Sequence, residues 1–554
     1  MDTVVEGRVV TLARHGVQQA SSVRISGGVL AEIRQDRAPA AGPYELLDFG
    51  DRTIQPGFVD PHAHLEVSAR GMATMVDVRV PRCGTVADVL DALADGIRTG
   101  RHDGGWLRAQ ANLFFNQKLA DKRYPTRAEL DSVSDTVPIA VHAGGHTTLL
   151  NTVAIEAADL GRFSDRTKGA MGGAVVELDP NGLPTGVVSE VDSLLPIQDP
   201  ASLDLAGVLE DGARELFTRF GVTVVGDISG TAEGVRQLVD LVASGRVPQR
   251  FEVFVCAPGT VDFDTALKPG DLIPAGARRI AAHGIKVFAD GGYSSKNAAV
   301  HTPYRAPHAL RPGSRGRVNL DRRQLASMIR RAAEAGLQLA VHANGERAQE
   351  VVCAAAAQVR AQLPDAPTTR VEHAGNLLTR PEALAGWRAA GILPVPQPVF
   401  LYNFGDFFPT YLGPVAERGR FPFRLLHDEG FTVAASSDVY TGAEDRQTNP
   451  FFGIWCCLRR RTFLGEIVEP EQAVTLDEAL RMHTLNAAEA LGLGDTYGSV
   501  ERGKAADLVV LDRDPARCEI DELPDVRVDH VLIGGRLVYS REGAAPPVTR
   551  RVGP

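Results

Sequence analysis

Residues 54–64 read IQPGFVDPHAH, and this stretch decides the fold. An apolar run typical of a buried strand leads into His62 and His64, which are two positions apart. Alternate residues of a strand point to the same side, so the two imidazoles are placed to bind one metal ion. The stretch therefore predicts a strand that ends in a metal site.

Seven further short apolar runs follow this one, and amphipathic stretches separate most of the later runs. Such alternation is typical of repeated strand–helix units that build a parallel barrel or sheet. Eight strands is the number that a (β/α)8 barrel requires. We therefore predict an α/β barrel of this kind, whose strands after the first are 221–227, 251–257, 285–291, 337–343, 370–374, 392–398 and 431–438.

The two ends of the chain differ from the middle, because both read as short strands and turns. We expect residues 1–56 and 492–554 to form one small β-domain, and residues 57–491 to form the barrel. Within the barrel region, residues 67 to about 205 are too many for a loop and predict an inserted subdomain. Its run PIAVHAGGH is assigned to the insert, because a ninth barrel strand would otherwise result. Loops after barrel strands line the active site, so the insert should roof it.

Metal-binding side chains also stand at the ends of three later strands. The fifth predicted strand ends at His342, the sixth at His373 and the eighth at Asp438. With the first histidine pair, four imidazoles and a carboxylate then meet at one end of one barrel. This set indicates a metal centre, and its ligands suit zinc, manganese, iron or nickel, with zinc as the first choice.

Lys286 lies in the apolar run GIKVFADGG of the fourth predicted strand. A buried ammonium is costly unless it is paired or chemically altered. One interpretation is that the side chain reaches solvent or pairs with Asp290. The other, favoured by the nearby histidines, is that the amine has captured carbon dioxide as a carbamate. The two oxygens of a carbamate could bridge two metal ions.

Composition limits the partners of the protein. Lys and Arg total 59 against 69 for Asp and Glu, a net charge of -10, which leaves no electrostatic footprint for nucleic acid or anionic membranes. The sequence contains neither a secretory signal pattern at its start nor an apolar run of the ~18 residues of a membrane helix. Six cysteines without a CxxC motif are typical of reduced thiols. We therefore expect a cytoplasmic protein that acts on a small molecule, with its oligomeric state open and a homo-oligomer among the options.

The ordered motifs resemble a known family. PGFVDPHAH, the lysine strand, HANGE, VEHAG and SSD are followed by GSVERGKAADLVVLDRDP, and GGHTTLLN and IKVFADGGYSSKNAAVHTPY also match. Together they resemble the amidohydrolase superfamily, more narrowly its YtcJ-like branch, which includes N-substituted formamide deformylase. The resemblance spans nearly the whole chain. Where the family more often has GSLGSRTA and HAIGD, this chain has GGYSSKNAA and HANGE, differences that bear on substrate contacts rather than on ligands.

The resemblance implies a deformed (β/α)8 barrel, a small β-sandwich built from both termini, and a centre of one or two divalent metal ions. It also implies roles for the candidate ligands. These would be His62 and His64 at the more buried ion, a carboxylated Lys286 as bridge, His342 and His373 at the second ion, and Asp438 as a ligand that shuttles protons.

The implied reaction is hydrolysis of an amide-type C–N bond, N-formyl or N-acyl, by a metal-activated hydroxide. Asp438 would take the proton of the hydroxide and pass it to the departing nitrogen. His146 is a candidate for contact with the oxyanion or the substrate, and a structural role is its alternative. The aromatic tract 400–413 would give an apolar wall for an aromatic or alkyl group, or pack against the insert. Further substrate contacts are expected at Tyr293, Tyr304, Gln397 and Glu190, the last also considered as an extra ligand.

Two other functions stay open at this point. A deaminase of a cyclic substrate would use one metal ion and a glutamate soon after the fifth-strand histidine, and Glu346 lies four residues after His342. Lys286 and His373 argue against it, because a one-metal deaminase does not need them. A catalytically inactive scaffold would have lost ligands, yet all six candidate positions carry competent side chains.

Overall fold

The computed structural model describes every residue except 16–17, 38–41, 103–104, 161–174, 192–194, 201, 307 and 553–554. The strands are, in chain order, β1 Asp2–Val10, β2 Gln19–Ser26, β3 Val29–Arg34, β4 Tyr44–Pro56, β5 Phe58–Ala63, β6 Val76–Asp77, β7 Leu107–Ala111, β8 Ile139–Ala143, β9 Thr147–Leu150, β10 Val175–Leu178, β11 Pro184–Ser189, β12 Val222–Ile228, β13 Arg250–Cys256, β14 Ile280–Phe288, β15 Gln338–His342, β16 Arg370–Glu372, β17 Leu393–Val395, β18 Leu508–Leu511, β19 Val528–Ile533, β20 Arg536–Ser540 and β21 Val548–Val552. The α-helices are α1 Leu65–Thr74, α2 Val86–Arg98, α3 Phe115–Lys118, α4 Arg127–Val133, α5 Thr152–Ala158, α6 Leu205–Leu216, α7 Ala232–Ser244, α8 Phe263–Ala266, α9 Arg322–Glu334, α10 Glu346–Arg360, α11 Ala383–Ala390, α12 Pro398–Phe404, α13 Phe408–Leu412, α14 Phe423–Asp428, α15 Pro450–Arg459, α16 Leu476–Met482 and α17 Leu485–Ala490.

Seven parallel strands form the barrel, in the order β17–β16–β15–β14–β13–β12–β5. Strand β12 is buried at every position, as expected for a parallel strand that is covered on both faces. Helices such as α9 and α10 connect successive strands and supply the outer layer. The seven strands overlap the first seven predicted runs, so the prediction of a deformed barrel is confirmed.

The eighth predicted run, 431–438, lies in the gap between β17 and β5 but forms no regular strand. Its backbone amides bond to both edges: Ala434 to the Pro394 carbonyl at 3.2 Å, Ser436 to the Pro396 carbonyl at 3.1 Å, and Asp438 to the His62 carbonyl at 2.9 Å. The Ser437 amide instead donates to the carboxylate of Asp60, at 3.1 Å. A side chain thus takes a bond that a regular ladder would make, and the run closes the barrel as an irregular extended segment.

The residues between β5 and β12 carry a separate sheet of six strands, in the order β10–β11–β9–β8–β7–β6. Strand β8 contains the run IAVHA, which therefore belongs to the insert and not to the barrel. Arg70 of α1 and Arg108 of β7 both pair with Asp199, and Arg108 Nη2 lies 2.7 Å from Asp199 Oδ1. The insert is thereby tied to the first barrel helix, while its limits at 67 and 205 stay a prediction.

Both ends of the chain enter one eight-stranded sheet, made of β1–β4 and β18–β21. Strand β4 runs parallel to β1 and antiparallel to β18 and β21. The expected union of the two termini is therefore present, and the domain limits 1–56 and 492–554 stay a prediction. Among the described residues, no helix combines the length and the hydropathy that crossing a membrane requires.

Candidate metal centre

One half of the candidate centre is built from the end of β5 and from the segment that closes the barrel. His62 Nε2 and His64 Nε2 each lie 3.3 Å from Asp438 Oδ1. The ammonium nitrogen of Lys286, from β14, lies 3.3 Å from His62 Nε2. Lys286 does not pair with Asp290, whose oxygens accept bonds from backbone amides instead. The four side chains thus meet as the sequence predicted.

The other half comes from the ends of β15 and β16. His373 Nε2 lies 3.0 Å from His342 Nδ1, and His373 Nδ1 lies 3.8 Å from Asp438 Oδ2. His373 and Asp438 have left-handed backbones, with φ values of 71° and 46°. This conformation is uncommon outside glycine and is concentrated at functional sites. All six predicted ligands therefore lie together at the carboxyl end of the barrel.

Burial sets the charge of these side chains. It lowers the pKa of His62 to about 3 and also lowers the pKa values of His64, His342 and His373. The imidazoles are therefore neutral, which is the form that binds metal ions. Burial likewise lowers the pKa of Lys286. Burial alone would raise the pKa of Asp438, and a hydrogen bond from His64 works against that rise.

The donor atoms fit a divalent cation. In the described part of the chain, His62, His64 and Asp438 each bring one ligand atom to within 4.8 Å of the others. His62 Nδ1 lies 2.6 Å from Glu372 Oε2, and an ionised carboxylate can only accept, so Nδ1 donates. The unprotonated Nε2 is thereby left facing the site. Neutral imidazole and carboxylate are the ligand types of first-row metal ions.

Glu372 and Arg370 are functional candidates that the sequence analysis missed. Arg370 Nε lies 2.8 Å from Glu372 Oε1, and both side chains are fully buried beside His62. The signal in the sequence was RVEH, residues 370–373, in which two charged side chains alternate within a buried strand. Such charges are tolerated inside only when they are paired.

Gln397 was predicted as a substrate contact but supports a histidine. Its Oε1 lies 2.8 Å from His373 Nδ1, and it is fully buried. Tyr304 is also buried, and its hydroxyl donates to the Ala298 carbonyl at 3.1 Å. Neither residue is among the described ones that line the cavity, whereas the third candidate, Tyr293, is.

His146 and Glu190 join the insert to the barrel above the centre. His146 lines the cavity, and its Nδ1 lies 3.1 Å from Glu190 Oε2. Glu190 Oε1 also accepts from the Gly292 amide at 3.2 Å and from Ser295 Oγ at 2.8 Å. Glu190 is fully buried and has a left-handed backbone, with φ of 56°. The carboxylate therefore orients His146 and ties it to the loop after β14.

A cavity lies above the centre and is open to solvent. Phe114 from the insert stacks on Phe404 from the predicted aromatic tract, with ring centroids 5.1 Å apart. Among the described lining residues, Lys286 is the only lysine or arginine, and Asp438 is the only aspartate or glutamate. The apolar wall consists of Leu113, Phe114, Phe288, Tyr293, Phe400, Phe404 and Tyr440.

Comparison with known proteins agrees with this geometry. A sequence profile of the amidohydrolase family matches residues 45–539. The chain belongs to the amidohydrolase family. This amidohydrolase is 30% identical to the N-substituted formamide deformylase of Arthrobacter pascens in an alignment of length 551 that covers 95% of this chain and 96% of that protein. It is 24% identical to the putative amidohydrolase YtcJ of Bacillus subtilis in an alignment of length 522 that covers 90% of this chain and 91% of the relative.

The YtcJ-like resemblance is thereby confirmed, and the protein is a hydrolase of carbon–nitrogen bonds other than peptide bonds. Two solved structures, both of uncharacterized metal-dependent hydrolases, share its fold. The Pyrococcus furiosus protein has a TM-score of 0.66 and 21% identity, and the match covers 93% of this amidohydrolase and 100% of that chain. The Pyrococcus horikoshii protein has a TM-score of 0.68 and 20% identity, with coverage of 94% and 99%.

Proposed function

We propose that this amidohydrolase cleaves the C–N bond of a small N-formyl or N-acyl amine whose nitrogen carries a neutral, apolar substituent. One observation carries the proposal. Six competent ligand side chains, from the ends of four barrel strands and from the segment that closes the barrel, meet beneath one cavity whose wall is apolar. The residues that would hold one or two divalent ions, zinc first, are His62, His64, Lys286, His342, His373 and Asp438.

When bound, such ions supply a polarised substrate carbonyl and an acidified water. Lys286 would contribute an anionic bridge if its amine is carboxylated. A neutral amine is the form that reacts with carbon dioxide, and burial favours the neutral form by lowering the pKa of Lys286. The fully buried position of this amine beside His62 supports that role.

Asp438 is proposed to move the proton. The oxygen of water adds to the carbonyl carbon, and Asp438 accepts the proton that this oxygen loses. As the C–N bond breaks, Asp438 returns that proton to the departing nitrogen, so the products are a carboxylic acid and an amine. Asp438 lines the cavity beside His64, where a proton can be accepted from water and returned to the substrate nitrogen.

His146 is proposed to contact the substrate oxygen that becomes negative. When the ring carries both protons, Nδ1 donates to the Glu190 carboxylate and Nε2–H is left to donate into the cavity. A hydrogen-bond donor aimed at a developing oxyanion stabilises the transition state. The insert would thereby supply one group to a reaction that the barrel otherwise performs.

The lining of the cavity selects the substituent. A carboxylate on the nitrogen side of the substrate would find no arginine among the described lining residues, and Lys286 lies at the base beside the histidines. Burying an unpaired carboxylate is costly, whereas an alkyl or aryl group gains from contact with the wall. We therefore expect neutral apolar amides to be better substrates than N-acyl amino acids.

The test is release of amine by protein loaded with zinc or manganese in the presence of bicarbonate. The panel contains N-formyl, N-acyl, carbamate and cyclic amide compounds, each in an alkyl, an arylalkyl and a carboxylate-bearing version. We expect turnover of neutral formamides or amides, abolished by chelation and restored by metal. Preference for the carboxylate-bearing versions would contradict the assignment of the wall, and silence with metal bound would contradict the amide reaction.

The alternative of a one-metal deaminase loses its main candidate residue in the structure. The Glu346 carboxylate accepts a hydrogen bond from Thr379 Oγ1, and Glu346 is not among the described residues that line the cavity. His342 and His373, by contrast, both line it. Metal stoichiometry separates the two functions, because more than one ion per chain is expected only for a two-metal hydrolase.

A further inference from the structure

The two halves of the candidate centre differ in the hydrogen-bond acceptor that fixes one histidine in each half, His62 in the first and His373 in the second. His62 Nδ1 donates to a carboxylate, Glu372 Oε2, at 2.6 Å. His373 Nδ1 faces an amide oxygen, Gln397 Oε1, at 2.8 Å. One acceptor is an anion and the other is neutral.

The carboxylate behind His62 is itself fixed. Arg370 Nε lies 2.8 Å from Glu372 Oε1, and Arg370 Nη2 lies 3.0 Å from Glu372 Oε2. Arg370 Nη2 also donates to the Pro61 carbonyl at 2.9 Å, next to the histidine that the pair supports. The planar guanidinium holds the carboxylate in one orientation, which in turn holds the imidazole.

The side-chain amide of Gln397, which faces His373, is held in one orientation but carries no charge. Gln397 Nε2 donates to the Val395 carbonyl at 2.8 Å, and a carbonyl can only accept. Gln397 Oε1 must therefore be the end that faces His373, whose Nδ1 donates to it. The same oxygen also accepts from Asn376 Nδ2 at 2.7 Å, so His373 shares its acceptor with another donor.

Hydrogen bonds to ionised acceptors are about twice as strong as neutral ones, and an anionic acceptor raises the basicity of the imidazole at its other nitrogen. We propose that Glu372 and Arg370 are positioning residues that make the His62–His64 half bind a divalent ion more tightly than the His342–His373 half. The centre then fills in two steps, and the second ion exchanges with the medium. This inference rests on the metal centre of the proposed function.

The chain offers a matched control of the same chemistry away from the centre. Glu252 is a buried carboxylate of strand β13, with Arg250 Nε 2.6 Å from its Oε1 and His283 Nδ1 3.0 Å from its Oε2. None of these three residues is a candidate ligand. Glu252→Gln therefore removes the same kind of buried charge as Glu372→Gln without touching the centre.

The experiment titrates zinc into the metal-free full-length chain in competition with a chromophoric chelator. We expect two binding steps in the unsubstituted protein, the first at least about 10-fold tighter. Glu372→Gln should weaken the first step by about 10–100-fold and leave the second unchanged, while Glu372→Asp recovers part of the loss. Glu252→Gln should change neither step. A first step that Glu372→Gln leaves unchanged overturns the inference.

A second measurement covers the case in which Glu372→Gln does not fold. Crystals of the unsubstituted protein with one equivalent of zinc should show anomalous scattering beside His62 and His64 alone. Equal peaks in both halves, or a single peak beside His342 and His373, overturn the inference and leave the metal centre standing. No zinc binding at all overturns the proposed function itself, so the two failures are distinct.

Discussion

Asp438 stands where barrel closure and the proposed chemistry meet. Its amide donates to the His62 carbonyl at 2.9 Å, and its left-handed backbone turns the carboxylate toward His62 and His64. Asp438→Asn keeps the shape of the side chain but removes the group that accepts and returns a proton. We expect kcat to fall by about 10²–10⁴-fold with the melting temperature little changed.

The measurement is kcat on the best substrate of the panel, with zinc content and melting temperature recorded for both proteins. Near-normal turnover of a zinc-loaded Asp438→Asn protein would remove Asp438 from the proton-transfer role. A large loss of bound zinc would instead show that Asp438 acts mainly as a metal ligand.

His483 gives the fold an acid-sensitive point away from the candidate centre. Burial lowers its pKa from 6.5 to about 3. Between these two pH values, the imidazole is protonated in the unfolded chain and neutral in the folded chain. The stability that comes from the neutral ring is therefore full above pH 6.5 and is lost as the pH falls toward 3. We expect His483→Leu to reduce the slope of unfolding free energy against pH by up to about 1.4 kcal/mol per pH unit in this window. Urea unfolding at several pH values checks it, and an unchanged slope contradicts it.

The positions of the candidate metal ligands could be read from the sequence, while the roles of Glu372 and Arg370 beside His62 could not. His62, His342 and His373 stand at the ends of apolar runs, and strand direction then places them at one edge. Glu372 lies within a strand, and only its contact with His62, 310 residues earlier in the chain, gives this carboxylate a place behind the candidate centre. Side-chain partners that are distant in sequence leave little local signal.

At the scale of elements, Asp290 fastens the loop after β14 to the end of β15. Its Oδ2 accepts from the amides of Ala299 and Gly345, both at 2.8 Å, and its Oδ1 accepts from the Asn344 amide at 2.9 Å. In Asp290→Asn an NH2 group replaces one of the two acceptors, so at least one buried amide loses its partner. We expect a loss of about 1–3 kcal/mol in unfolding free energy.

Asp321→Asn is the control for this substitution. Asp321 caps α9 from an exposed position, and asparagine is an equally good cap, so the change should cost little. Urea unfolding compares the two variants, and hydrogen exchange reports on the loop. Equal stability of both variants would show that the three bonds to Asp290 are not needed.

The barrel closure shows where element prediction from the sequence stops. Seven predicted strands exist, but the run 431–438 carries its strand-like pattern without a regular ladder. The hydrophobic pattern reports burial, which this run shares with true strands. The bond from the Ser437 amide to the Asp60 side chain depends on a residue distant in the chain. The hydrophobic pattern of residues 431–438 therefore does not reveal this bond.

At the scale of the molecule, the eight-stranded sheet is expected to tolerate loss of its last strand but not of its centre. Every residue of β21 is exposed, whereas all four residues of β18 are buried between β4 and β19. A chain that stops after residue 545 should melt within about 4 °C of the full protein. A chain that stops after residue 505 also loses β18–β20, whose buried side chains each contribute about 1.5–3 kcal/mol, and should not fold.

Melting curves and soluble yield of the two truncated proteins test this expectation. Soluble, cooperatively melting protein from the shorter chain would show that the barrel folds without the terminal sheet. The sequence predicted the union of the two ends, because both carry runs typical of strands. It did not predict that β4 would take partners from both ends at once.

The position of β4 between the two ends has a consequence for the topology of the backbone. Asp2 and Val552 both lie opposite Tyr44, one on each side, so the first and last strands are separated by about 10 Å, two strand spacings. A short linker between them would turn the chain into a covalent ring without moving any barrel residue. Ring closure reduces the conformational freedom of the unfolded state only, so a cyclised form should resist heat better than the linear one while keeping the same cavity.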